Sequence, residues 1–136
     1  MVFGTFDFLH KGHIHFFKQA RSLAKRSFLI VSVSRSVNTK KIKGAKPFFS
    51  EKTRMGFVKK TGLADKVVLG GLASFLPHIV KEKPEVIALG YDQTNYTQGL
   101  KQKLLDFGLE VKVKRLLSHK PHVYKSSLLK PKAKKI

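Results

Sequence analysis

Three observations predict an α/β chain: a Rossmann-like, doubly wound parallel sheet of about five strands in the order 3-2-1-4-5, with helices on both faces. Short β-branched runs alternate with amphipathic stretches of helical length along nearly the whole chain. One run, FLIVSVS, is apolar almost throughout, as a strand covered on both faces should be. The runs expected as strands one and four are followed by LHKGH and GYDQ, placed where ligands bind beyond the carboxyl ends of such a sheet.

MVFGTF reads as the first strand. GHIHFFKQARSLAKR then has helical spacing, with Ile14, Phe17, Arg21 and Ala24 along one side and Phe16, Ala20 and Leu23 on the adjoining one. Phe28 to Ser34 form the second strand. RSVNTKKIKGAKPFF reads as a long basic loop broken by Gly44 and Pro47. Ser50 suits the N-cap of SEKTRMGFVKKTG, with Glu51 in the first turn and Gly62 as the stop.

DKVVLG is the third strand, and LASFLPHIVKEK a helix that Pro77 kinks or starts late. EVIALG is the fourth strand. NYTQGLKQKLLDFG is a helix weakened by Gly99 and closed by Gly108. LEVKVKR, alternating and more polar, belongs near a sheet edge. SHKPHVYKSSLLK is a loop entering a short helix capped by Ser126 or Ser127. Residues 1–130 make one domain, and 131–136 a frayed basic tail.

Composition narrows the function. The 136 residues hold no cysteine, which excludes disulfides, thiolate catalysis and cysteine-based zinc sites. No apolar run is long enough to span a bilayer, and no basic segment precedes an apolar one at the start, so a cytoplasmic protein without a membrane partner is the expectation. Lys and Arg number 28 against 8 Asp and Glu, a formal charge of +20 that attracts polyanions. The basic residues gather into a run only in the tail, so spread, solvated charge is favoured over a dedicated nucleic-acid surface.

The chemistry sits in GTFDFLHKGH, Gly4 to His13. A helix beginning at Gly12 or His13 offers unpaired main-chain N–H groups and a positive dipole end above the first strand. His10 and His13, three apart, can aim ring N–H groups at one anionic oxygen, while Gly12 allows close approach. Gly4 and Thr5 supply a tight turn and a hydroxyl. A metal site would have only Asp7 nearby as a third ligand, and no serine or cysteine is paired with a base. His15, His78 and His119 read as ordinary satisfied histidines.

GTFDFLHKGH resembles the signature of the cytidylyltransferase-like nucleotidyltransferases, which move a nucleoside monophosphate from a nucleoside triphosphate to a phosphorylated acceptor and release pyrophosphate. IKGAKPFFSEKTR, IALGYDQ and VYKSSLLK are similar to that family's basic loop, nucleotide-binding segment and closing stretch. The resemblance implies that His10 and His13 stabilise the α-phosphate, and that Lys43 and Arg54 hold the β- and γ-phosphates. Lys40, Lys41 and Lys46 neighbour Lys43 and are alternatives to it. Thr5 with Ser126 or Ser127 would add donors, and Phe6 would line the base pocket. Asp7 and Gly90 would belong to the nucleotide site. Asp92 would contact ribose or help position a divalent cation, magnesium or another, carried on the substrate.

GYDQ and the ending resemble the archaeal branch that joins ATP and FMN into FAD, whereas glycerol-phosphate members tend to carry two acids after the glycine. Adenylylation of FMN is therefore the leading expectation. A CTP:glycerol-3-phosphate cytidylyltransferase comes next, and a non-catalytic nucleic-acid-binding protein is more distant. Relatives of this kind are often homodimers. The arginine that precedes the closing motif in the family has Arg115 as its nearest counterpart here.

Overall fold

A computed structural model describes residues 1–71, 75–90, 93 and 99–116. In chain order these form β1 (Val2–Gly4), α1 (Lys11–Arg21), β2 (Ile30–Val33), α2 (Ser36–Lys43) and α3 (Glu51–Lys60). There follow β3 (Lys66–Leu69), α4 (Phe75–Glu82), β4 (Val86–Leu89), α5 (Leu100–Asp106) and β5 (Lys112–Arg115).

Among the described residues all strand pairs are parallel. β1 pairs with β2 and β2 with β3, in register Val2↔Val31 and Val31↔Val67. β4 pairs with β5, in register Val86↔Lys112. These are the 3-2-1 and 4-5 halves of the expected order. The halves touch through two main-chain bonds: the Met1 amine donates to the Val86 carbonyl at 2.8 Å, and Ala88 N–H donates to the Met1 carbonyl at 3.0 Å.

Successive side chains of a strand point to opposite faces, so β1 to β4 feed two cores. Val2, Val31 and Val33 pack with Phe17 of α1 and Val58 of α3. Phe3, Ile30 and Ile87 pack with Ile79 of α4 and Leu100 and Leu104 of α5. β2 is buried at every position, which is why FLIVSVS is so apolar. β5 exposes Lys112, Lys114 and Arg115, as an outer strand should.

Several boundaries differ from expectation. The second strand begins at Ile30, and Phe28 stands in solvent at 66% exposure. α1 stops at Arg21, where Ser22 caps it by donating from its hydroxyl to the Gln19 carbonyl at 2.6 Å. Ser50 does cap α3, accepting from Thr53 N–H at 3.2 Å.

The largest correction is α2, which occupies the first half of the expected basic loop. Its apolar period is weak, and tertiary bonds hold it instead. Ser36 N–H donates to Glu51 Oε2 at 2.8 Å, and Asn38 Nδ2 donates to the Gly71 carbonyl at 2.8 Å. Thr39, buried in the helix, shares a 2.7 Å hydroxyl bond with Ser34. Gly44 ends the helix at φ 80°, a left-handed conformation that favours glycine. Lys40, Lys41 and Lys43 occupy the last turn, where cations suit the negative end of the dipole.

The expected closing loop with Ser126 and Ser127, the tail 131–136 and Asp92 lie outside the described residues.

Candidate active site

The site is assembled at the carboxyl end of β1. Phe6 follows with φ 53°, and its ring swings back over the strand. A Cβ on Gly4 would lie 2.5 Å from the Phe6 Cζ, so only glycine leaves room for the ring. Phe6 is buried, with its ring centroid 5.3 Å from that of Phe17 and 5.4 Å, edge-on, from that of His13. Gly4 lies within β1 and serves ring packing in place of the expected tight turn, and Phe6, expected to line the base pocket, packs in the core.

The two histidines cap α1 reciprocally. Gly12 N–H donates to His10 Nδ1 at 3.0 Å, and His10 N–H donates to His13 Nδ1 at 3.3 Å. The arrangement is a capping box built from imidazoles in place of hydroxyl and carboxylate. A ring nitrogen that accepts carries no proton, so each neutral ring bears its hydrogen on Nε2. The rings lie 4.0 Å apart at 31°. Burial, the adjoining His10 and the charge of Lys43 push the His13 pKa down to about 3. Burial lowers that of His10 as well. Both are neutral donors at physiological pH. The first turn of α1 holds no acid, so its positive end is left for an incoming anion.

Lys43 reaches the same place from the end of α2, its Nζ donating to Thr5 Oγ1 at 3.3 Å. Ser34 Oγ also donates to Thr5 Oγ1 at 3.3 Å, and so Thr39, Ser34, Thr5 and Lys43 form one hydroxyl-ammonium chain. Ser34 and Thr39 were not singled out from the sequence, because their role depends on α2 being helical.

Asp7 differs from expectation. It is buried, and its carboxylate accepts from the main-chain amides of Phe48 at 2.6 Å and Phe49 at 2.8 Å. It fastens the loop after α2 beside the histidine loop. Among the described residues no three His, Cys, Asp or Glu gather to hold a metal ion.

Arg54, expected at the outer phosphates, lies in the interior at 0% exposure. Its Nη1 donates to the carbonyls of Thr5 at 3.0 Å and Ser34 at 2.9 Å. Nη2 donates to Ser36 Oγ at 3.0 Å, and Nε to the Phe49 carbonyl at 3.1 Å. Burial draws its pKa down, against the upward pull of Asp7 and Glu51.

The end of β4 meets the end of β1 through a residue that the sequence reading passed over. Gln93 Oε1 accepts from Gly90 N–H at 2.8 Å, and its Nε2 donates to the Phe3 carbonyl at 2.6 Å. Arg115 Nη1 donates to the carbonyls of Gly90 at 2.7 Å and Gln93 at 2.9 Å. Gly90 thus stands where the ends of β1 and β4 are joined through Gln93. The available signal was the fourth letter of GYDQ, a long amide just past a strand end. His78, expected to be satisfied, shares a 2.8 Å bond with Ser32 Oγ.

Known proteins resemble this chain in sequence and in fold. The profile of the cytidylyltransferase-like family matches residues 1–132. The FAD synthase of Korarchaeum cryptofilum is 42% identical over 117 residues, covering 85% of this chain and 79% of that protein. The FAD synthase of Pyrococcus abyssi is 40% identical over 131 residues, covering 96% and 84%. A crystal structure of a lipopolysaccharide core biosynthesis protein from Thermoplasma volcanium superposes with a TM-score of 0.80 at 33% identity, covering 88% of this chain and 95% of that one.

Proposed function

Because the chain belongs to the cytidylyltransferase-like family, we propose that it is a nucleotidyltransferase that adenylylates FMN with ATP, yielding FAD and pyrophosphate. Relatives named FAD synthase at 39 to 42% identity support the choice of substrates. The observation that carries the chemistry is the convergence of His10, His13, Thr5 and Lys43 at the acid-free start of α1.

A phosphate oxygen of FMN attacks the α-phosphorus of ATP. A new P–O bond forms as the bond to the bridging oxygen breaks, and pyrophosphate leaves with the electron pair. The attacking oxygen is already anionic, so no side chain has to remove a proton. Catalysis rests on alignment and on donors to the charged oxygens. His10 and His13 give Nε2–H groups to the α-phosphate oxygens as neutral donors. Lys43 supplies full positive charge to the departing phosphates, and Thr5 fixes the Lys43 ammonium by accepting from it.

Gly12 and Gly90 lie beside the nucleotide in this reading. Asp92 takes the ribose, and Ser126 and Ser127 add hydroxyl donors to the phosphates. The Asp7 carboxylate is occupied by two amides. A divalent cation, magnesium or another, enters on the triphosphate as part of the substrate, with Asp92 as the residue that could help position it. No helix among the described residues is long and apolar enough to cross a membrane, and the cysteine-free chain fits a reducing cytoplasm.

The test is incubation with magnesium and either ATP or CTP, offering FMN or glycerol 3-phosphate, with products separated by chromatography. FAD without CDP-glycerol is the expected result. CDP-glycerol without FAD overturns the assignment of base and acceptor together.

A further inference from the structure

Arg54 is the side chain whose placement departs furthest from a phosphate ligand. It is enclosed by protein, and four of its five N–H donors are directed at Thr5, Ser34, Ser36 and Phe49. Those four residues end β1, end β2, begin α2 and lead into α3. Two of them feed straight into the hydroxyl-ammonium chain, since Thr5 Oγ1 receives both Lys43 Nζ and Ser34 Oγ. The third, Ser36, opens the helix whose last residue is Lys43.

We infer that Arg54 is a positioning residue: a buried clamp that fixes where Thr5 and Lys43 stand, without touching the nucleotide itself. Its planar fork suits the task, because the two diverging N–H donors of Nη1 reach the carbonyls after two neighbouring strands. A lysine there would bring a single ammonium that cannot span the same acceptors. The clamp therefore acts on the phosphates through Lys43.

The inference rests on the transferase reading, and coupling between variants separates the two. Arg54→Lys, Ser36→Ala, Lys43→Ala and the double variants with Lys43→Ala are compared by steady-state FAD formation and by ATP titration calorimetry. Arg54→Lys should weaken ATP binding and turnover by roughly 10-fold in the wild-type background. In the Lys43→Ala background its effect should shrink to under about 2-fold, because the group it positions is gone. Ser36→Ala, which keeps every charge, should show the same pattern at about 3-fold.

Losses that multiply across the double variant overturn the inference, since they mean that Arg54 meets the nucleotide independently. Unchanged kinetics and affinity in a folded Arg54→Lys protein overturn it too. Should Arg54→Lys fail to fold, Ser36→Ala decides by the same criterion. A wild-type protein that binds ATP yet forms no FAD removes the proposed reaction, while the calorimetric coupling still judges the clamp.

Discussion

The Nδ1 of His13 accepts the main-chain N–H of His10 at 3.3 Å, and the two rings lie 4.0 Å apart. This bond gives the imidazoles a structural role. One nitrogen of each ring closes the helix start, leaving the ring proton on the other.

The first consequence concerns protonation. His13 has a folded pKa of about 3 against an unfolded value near 6.5, so the folded protein binds fewer protons between those limits. Stability from keeping His13 neutral is full above about pH 6.5 and falls as the pH drops toward 3. Nitrogen-15 NMR of the rings should show His13 neutral, with its proton on Nε2, down to pH 5. A midpoint between 6 and 7 would contradict the capping geometry.

Capping and catalysis can be pulled apart at His10. Asparagine is among the best N-cap residues, so His10→Asn should cost less than ~1 kcal/mol in urea unfolding. The same change removes the Nε2 donor and should lower kcat by ~100-fold. His13→Ala should lower kcat comparably while the protein stays folded. A His10→Asn enzyme with full turnover would take His10 out of the chemistry.

Gly4→Ala would set a methyl 2.5 Å from the Phe6 ring. Overpacking of this kind costs about 1–3 kcal/mol. Combining it with Phe6→Leu should restore part of the loss, giving a positive coupling in denaturant midpoints. Equal losses with and without the second change would mean that the ring is not the obstacle.

Lys43→Ala should weaken ATP binding by roughly 10- to 100-fold, the range expected for a lost charge-assisted bond. Lys40, Lys41 and Lys46 are exposed neighbours on the same segment. Their alanine variants should bind within about 3-fold of wild type in parallel calorimetric titrations. A ranking in which any of them exceeds Lys43 would reassign the phosphate cation.

Much of the fold was legible because burial writes a local pattern. FLIVSVS announced a strand covered on both faces, LEVKVKR an outer one, and Ser50 a helix start. The histidine pair was legible because a strand, a glycine and a helix start confine what such residues can do. What escaped depends on partners distant in sequence. α2 lacks a clear apolar stripe and is held through Glu51 and Gly71. Asp7 looks like a ligand until the amides of Phe48 and Phe49, 41 and 42 residues away, are seen to use it. Arg54 sits in a strongly basic chain, where an interior guanidinium leaves no compositional trace. Gln93 carries no charge and no motif of its own, so its link between two strand ends emerges only in three dimensions.

That link also ties the two halves of the sheet together. Because Gln93 Nε2 donates to the Phe3 carbonyl at 2.6 Å, drawing β4 away from β1 would cost this hydrogen bond as well as the two that Met1 makes, so three contacts of different chemistry resist the same separation.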